Sequence, residues 1–217
     1  MTLSRSAWFA IAALVAGIGI FTLLAIEISA GRTVSFDRNL LLAMRRPDGA
    51  PLGTPGFQQM ARDISALGST NVLALATILA VGFLAIDRKG RLALFLCGCV
   101  VAGHFLDTTL KNAFDRARPD LVPRIGYFSG ASFPSGHALL SAITYFSLAT
   151  VAAQLYRRKT MTIYVYSSAA IVVALIGVTR VYLGVHWPTD VLAGWIGGGV
   201  WALLYWSAAL RVYRGAG

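Results

Sequence analysis

Six stretches of this chain, residues 7–28, 64–86, 92–110, 138–156, 160–179 and 191–210, are long and apolar enough to cross a bilayer. A hydrocarbon core roughly 30 Å thick and a helical rise of about 1.5 Å per residue make about 20 apolar residues one crossing. Five of the six run at least nineteen residues without Asp, Glu, Lys, Arg or His, apart from Glu27 at the end of the first; the third is interrupted by His104 and Asp107. Lipid offers no partner to backbone N–H and C=O groups, so each crossing must satisfy its own as a helix. The expected fold is therefore all-α, a polytopic membrane protein of six transmembrane helices, with residues 1–217 as one integral-membrane domain. Composition agrees, since 57% hydrophobic residues, 13% charged residues and a mean hydropathy of +0.67 exceed what a soluble domain of this size carries.

The first span could be a secretory signal, with a basic start at residues 1–5 and a passable cleavage site at residues 28–30. Its apolar run exceeds the roughly 7–15 residues of a signal core, so it is expected to stay as a helix. Basic residues then orient the bundle. Arg88, Lys89 and Arg91 crowd one short loop and Arg157, Arg158 and Lys159 another; Arg5 precedes the first span, and Arg211 and Arg214 follow the last. All fall on one side, which the positive-inside rule makes cytoplasmic. The expectation is a bacterial inner membrane protein with both termini inside and its other face toward the periplasm. The net charge of +10 is accounted for by these loops against anionic lipid and by cations reserved for phosphate, so no nucleic-acid partner is expected.

Between the first two spans lies the longest polar stretch, residues 31–68. Phe36, Leu40, Leu41 and Met44 recur at helical spacing, as do Phe57, Met60, Ile64 and Leu67, while Pro47, Gly49, Pro51, Gly53 and Pro55 separate the two pieces. The pattern predicts two short amphipathic helices at the outer interface, which either cap the bundle or shape a lateral entrance for lipid. Cys97 and Cys99, two apart on a helix, point in different directions and read as packing residues. Gly194, Gly197, Gly198 and Gly199 predict a close approach of the last span to a neighbour.

Chemistry concentrates in three short segments: residues 111–119 (KNAFDRARP), 134–137 (PSGH) and 180–190 (RVYLGVHWPTD). The predicted topology sets all of them on the outer side, at the end of the third helix, the start of the fourth, the end of the fifth and the start of the sixth. Ionisable groups at membrane depth cost roughly 3 kcal/mol or more and so mark function. Two of the four helix ends are N-termini, whose N–H groups and dipole favour an anion. Pro134 fits a first helical turn, Ser135 can cap, and Gly136 admits a ligand close to the backbone. Pro188 suits a first helical position, which sets Asp190 in the first turn, able to reach back to His186 and fix its tautomer. Arg116 and Arg124 read as loop or headgroup contacts, and Tyr127, Phe128, Tyr182 and Trp187 as interfacial aromatics. His104 and Asp107 read as structural, with support of Lys111 as the other possibility.

Lys-x6-Arg-Pro, Pro-Ser-Gly-His and Arg-x5-His-x3-Asp, in that order, resemble the type 2 phosphatidic acid phosphatase superfamily, which includes bacterial acid phosphatases and vanadium haloperoxidases. The motifs cover about residues 111–190, and the six-helix layout extends the likeness to the membrane-embedded lipid phosphatases of that superfamily. Thr179 stands where the family usually has serine, and a hydroxyl is retained. The resemblance implies phosphoryl transfer through a phosphohistidine. His186 is then the nucleophile, Asp190 its orienting carboxylate and His137 the acid. Lys111, Arg118, Ser135, Gly136 and Arg180 are the phosphate-binding residues. No cofactor and no metal are implied.

Physics agrees with those roles, because phosphoryl transfer is mostly positioning and charge stabilisation and arginine forks match phosphate. A metal hydrolase built on His137, His186 and Asp190 is disfavoured, since three cations already supply the charge a divalent ion would bring. A non-enzymatic anion transporter is disfavoured, since the sequence shows no inverted repeat of broken helices such as those proteins carry. A phosphotransferase that passes phosphate from a lipid diphosphate to another lipid shares every motif. Undecaprenyl diphosphate, phosphatidylglycerophosphate, phosphatidate and lipid A phosphates all suit a site at headgroup level, and no residue selects among them.

Overall fold

The computed structural model describes residues 5–123 and 130–215, which form eight α-helices and no strand. In chain order they are α1 (Arg5–Ser29), α2 (Val34–Leu42), α3 (Pro55–Ala66), α4 (Thr70–Ile86), α5 (Gly90–Phe114), α6 (Gly136–Tyr156), α7 (Lys159–Tyr182) and α8 (Pro188–Gly215). Five of these, α1, α5, α6, α7 and α8, are individually long and apolar enough to span a membrane.

The second expected span, 64–86, needs correction. Its apolar run belongs to two helices, α3 and α4, which meet at a bend of 47°. Hydropathy runs on through the break, but local chemistry does not. Ser69 takes extended backbone and its Oγ accepts the Val72 N–H at 3.4 Å, starting a new helix. Tyr145 Oη donates at 3.0 Å to the Leu67 carbonyl left over from α3. Gly68 has no alternative there, because a Cβ would lie 2.5 Å from Ile176 Cγ2 and 3.4 Å from His137 Cδ2. At 17 residues α4 alone is about 25 Å long, so six crossings are reached only if the bent pair counts as one.

α6 is the hub, packed on α4, α5, α7 and α8. Among lipid tails no hydrophobic force distinguishes helix from lipid, so close contact of small residues does the work. Ser141, Ala142, Ser147 and Ala149 are all buried along α6. A Cβ on Gly194 would lie 2.8 Å from the Ser135 carbonyl, and one on Gly198 2.5 Å from the Leu139 carbonyl, so the α8 glycines do seat against a neighbour. Leu73, Leu96, Leu139, Ile143 and Trp206 fill the space between α4, α5, α6 and α8. Apolar side chains such as Ile78, Leu94, Phe105 and Ile163 face outward, as lipid contact requires. Cys99 is buried with Sγ 3.4 Å from Ser147 Oγ, Cys97 is exposed, and both are free thiols.

The two short helices predicted within 31–68 are α2 and α3. Phe36 and Leu40 on α2, and Phe57 and Met60 on α3, point outward, while Asp37 and Ser65 are buried against the bundle. Neither helix is only a cap, because each buried polar residue reaches the helix ends where the motifs gather.

Candidate active site

α7 ends at Tyr182 and α8 begins at Pro188, leaving a five-residue turn that carries His186. Gly184 turns the chain at φ +73°, a conformation that glycine adopts without steric cost. Pro188 opens α8 and Asp190 falls in its first turn. His186 Nδ1 lies 3.5 Å from Asp190 Oδ2. That same oxygen accepts from the Trp187 N–H at 2.9 Å and from Ser132 Oγ, so the carboxylate is held from three directions.

The other ring nitrogen faces a cation. Arg118 Nη1 lies 3.1 Å from His186 Nε2, and the same guanidinium donates to the carbonyls of Val185, Gly130 and Ala131 at 2.9, 3.0 and 3.3 Å. A guanidinium only donates, so Nε2 presents its lone pair and the ring proton sits on Nδ1, toward Asp190. Burial, seconded by Arg180 and Arg118, pushes the imidazole down to about 4 against the opposing pull of Asp190. At neutral pH His186 is an uncharged base with Nε2 open to an electrophile that displaces or joins Arg118.

The start of α6 meets this turn. The Ser135 N–H donates to the Asp190 carbonyl at 3.0 Å. Two details of the expected helix start are corrected. Pro134 lies outside the helix, joined to Phe133 by a cis peptide, and Ser135 is the N-cap residue but makes no side-chain cap bond. Its Oγ is instead fully buried without a hydrogen-bond partner. A buried hydroxyl of that kind is costly, and a phosphate oxygen would satisfy it. Lys111, in the last turn of α5, brings its Nζ within 2.7 Å of where a Gly136 Cβ would stand, so a side chain there would push the ammonium away from this helix end. Asp107 pairs with Lys111 at 2.8 Å, one turn earlier on the same helix. Of the two roles weighed for Asp107, that is the supporting one. A polar cleft of about 520 Å³ opens beside Lys111 and reaches Gly130 and Ala131, whose carbonyls bind Arg118.

His137, second residue of α6, rests against Gly68 at the α3–α4 bend and lies within electrostatic reach of Arg180, His186, Lys111 and Arg118. Arg180 closes α7, almost wholly buried, with Nη1 donating to Ser65 Oγ of α3 at 2.7 Å. The structure therefore brings Lys111, Arg118, Ser135, Gly136, His137, Arg180, His186 and Asp190 to one set of helix ends. Arg124, Tyr127 and Phe128 lie outside the described residues. Tyr182 and Trp187 are more than interfacial aromatics, since each hydroxyl or indole N–H holds a loop carbonyl, of Leu52 and Ala117 respectively.

Four polar residues of this assembly were not legible as site residues. Ser132 and Ser65 carry no charge and match no motif. Asp37 sits on a helix whose other polar residues face outward. Arg116 reads as a loop cation, yet it is 2.6 Å from Asp190 Oδ1 and 2.8 Å from Asp37 Oδ2. Its only advance signal was its position two residues before Arg118.

The chain is a helical membrane bundle with cations gathered around two histidines at converging helix ends. Residues 92–214, more than half of the chain, match the PAP2 superfamily, and the chain belongs to that superfamily. Phosphatidylglycerophosphatase B of Bacillus subtilis (strain 168) is 34% identical over 147 residues, 64% of this chain and 69% of that protein. Lipid A 1-phosphatase of Rhizobium etli is 38% identical over 111 residues, 51% of this chain and 47% of that protein. The crystal structure of a transmembrane PAP2 type phosphatidylglycerolphosphate phosphatase from Bacillus subtilis superposes with a TM-score of 0.84 at 26% identity, covering 92% of this chain and 96% of that one. The architecture is that of a membrane-embedded PAP2 protein.

Proposed function

We propose that this chain is an integral-membrane lipid phosphatase or diphosphatase that works through a phosphohistidine on His186. The observation that carries the reading is the pairing of Arg118 with His186 Nε2 at 3.1 Å, with Asp190 on the opposite side of the ring. A phosphate oxygen bound by Arg118 would bring phosphorus to Nε2. Lys111, Arg180, the Ser135 hydroxyl and the Gly136 N–H complete the phosphate cradle. Nε2 attacks phosphorus, the bond to the lipid oxygen breaks, and His137 gives that oxygen a proton. The seated phosphate dianion supplies the negative charge that lets His137 carry the proton it donates. In the second step His137 takes a proton from water as it attacks the phosphohistidine, which releases inorganic phosphate and restores both rings.

Substrate candidates are phosphatidylglycerophosphate, undecaprenyl diphosphate, phosphatidate and lipid A phosphates. Relatives named for phosphatidylglycerophosphate, lipid A and undecaprenyl diphosphate support a lipid anion, and outward-facing apolar helices keep the site at the level of a headgroup. Phosphate release by purified protein across those lipids in detergent micelles is the decisive measurement. Release from at least one lipid is expected; release from none overturns the reading. Label found on an added lipid alcohol instead of in solution would make the enzyme a phosphotransferase.

Catalysis is proposed to need no divalent metal, because Lys111, Arg118 and Arg180 already provide the positive charge around the phosphate. Activity should be unchanged by EDTA and lost to vanadate, which imitates the five-coordinate phosphorus. Loss on chelation with recovery on adding one metal would favour a metal hydrolase.

The site is proposed to face the periplasm of a bacterial inner membrane, from the basic clusters at Arg88–Arg91 and Arg157–Lys159. In a cysteine-free variant, Leu121→Cys should react with an impermeant thiol reagent in intact spheroplasts. Gly90→Cys should react only after the membrane is opened. The reverse pattern would put the site in the cytoplasm.

A further inference from the structure

Arg116 and Asp37 form a charged cluster that none of the proposed steps uses. Arg116 Nη1 contacts Asp190 Oδ1 at 2.6 Å and donates to Thr189 Oγ1 at 2.9 Å, while Nη2 contacts Asp37 Oδ2 at 2.8 Å. The guanidinium also lies over the Trp187 ring, 5.7 Å from its centroid. Asp37 is fully buried, and its two oxygens accept from the Thr189 N–H at 2.9 Å and the Thr189 hydroxyl at 2.7 Å. The first turn of α8 is thus gripped from α2, a helix 150 residues away in sequence that contributes no group to the phosphate cradle.

The geometry has a direct electrostatic consequence. Asp190 offers Oδ1 to Arg116 and Oδ2 to Ser132, the Trp187 N–H and His186. One cation is therefore shared between two carboxylates, only one of which faces the nucleophile. We propose that Arg116 and Asp37 are positioning residues that set, through Asp190, how strongly the His186 ring is drawn toward its protonated form. Arg116 withdraws charge from Asp190 and extends toward acid the pH range over which His186 is neutral. Asp37 takes up part of Arg116 and moderates that withdrawal, so α2 tunes the site from outside. This rests on His186 being the reactive histidine, as the proposed function has it.

The other charged groups around His186 act in known directions. Arg118 from the α5–α6 connection and Arg180 from α7 oppose its protonation, Asp190 from α8 favours it, and His137 and Lys111 stand beyond them on α6 and α5. Removing Arg116 leaves Asp190 with more effective charge, so the proton-binding midpoint of His186 must rise. Removing the Asp37 charge gives Arg116 wholly to Asp190, so the midpoint must fall. Opposite signs from two touching residues are the signature of charge sharing; a purely structural role moves both variants alike or neither.

The chain has three histidines, so replacing His104 and His137 by glutamine leaves His186 alone (three minus two). Full-length protein with labelled histidine in micelles then gives a single imidazole signal, and its pH titration needs no activity. Arg116→Gln should raise the midpoint by about one unit or more, Arg116→Lys should restore most of it, and Asp37→Asn should lower it. Should Arg116→Gln fail to fold around two uncompensated carboxylates, Arg116→Gln/Asp37→Asn removes both charges together and should still raise the midpoint.

In otherwise wild-type protein, Arg116→Gln should move the acid limb of the kcat–pH profile up by about one unit or more, in step with the midpoint, while leaving the affinity for inorganic phosphate within about twofold, whereas Arg118→Gln should weaken phosphate binding. No shift of the midpoint, or shifts of the same sign for Arg116→Gln and Asp37→Asn, overturns the proposal. Phosphate affinity falling as far in Arg116→Gln as in Arg118→Gln would instead make Arg116 a phosphate ligand. Absence of phosphatase activity in the wild type would defeat the proposed function yet leave the titration result standing.

Discussion

His186→Ala should take phosphate release to background for every substrate, a loss on the order of 10⁴-fold or more, as removal of a covalent nucleophile does. The fold should survive the change. Arg118 keeps three carbonyl partners, those of Val185, Gly130 and Ala131. Asp190 keeps Arg116, Ser132 and the Trp187 N–H. No buried charge is left alone, so the variant should run as a single peak in size exclusion with unchanged helix content. Initial rates on the responsive lipid and on an aryl phosphate provide the measurement. Quenching wild type in alkaline detergent with labelled substrate should trap label that is stable to base and lost on later acid treatment, and His186→Ala should trap none. Substantial residual activity in a folded His186→Ala protein would move the nucleophile elsewhere.

The parts of this protein that read well from sequence are those encoded in runs and spacings. A bilayer forces long apolar helices, so α1, α5, α6, α7 and α8 were expected within a few residues of where they lie. The amphipathic periods at Phe36–Met44 and Phe57–Leu67 gave α2 and α3. Motif spacing placed Lys111, Arg118, His137, Arg180, His186 and Asp190 at four helix ends.

What stayed hidden depends on partners distant in the chain. The α3–α4 break sits in an uninterrupted apolar run, and hydropathy averages over the Gly68–Ser69 pair that makes it. Asp37 shares the inward face of α2 with Leu41, yet its side chain is charged, and only the arrival of Arg116 and Thr189, 79 and 152 residues away, makes its burial affordable. Ser65 becomes a site residue because α3 folds back on α7 and meets Arg180. Pattern can say that a residue is polar; which polar group stands opposite it is decided by packing.

His137 can be separated from His186 by the leaving group. If His137 protonates the departing oxygen, His137→Ala should slow an alkyl phosphate such as a lipid monoester by about 10²–10⁴-fold, the usual worth of general acid catalysis. An aryl phosphate departs as a stable phenolate and needs that proton far less, so its first step should fall by less than about tenfold. Turnover on the aryl substrate would then be limited by the second step, where water has lost the base that activates it. Phosphoenzyme should consequently build up on His186, and a burst of phenol about equal to the enzyme present should precede a slow steady rate.

The position of His137 against Gly68 offers a control. Truncating the ring opens space at the α3–α4 bend and leaves in place the Arg118 bonds to the Val185, Gly130 and Ala131 carbonyls and those of Asp190 to Arg116, Ser132 and the Trp187 N–H, so vanadate should still bind. Equal losses on aryl and alkyl substrates, with no burst and no trapped phosphohistidine, would show that His137 does not divide the work with His186 in this way. A burst with the aryl ester alone would assign the proton to His137 in both halves of the reaction, because only a group that serves both steps makes the first leaving-group-dependent and the second slow for every substrate.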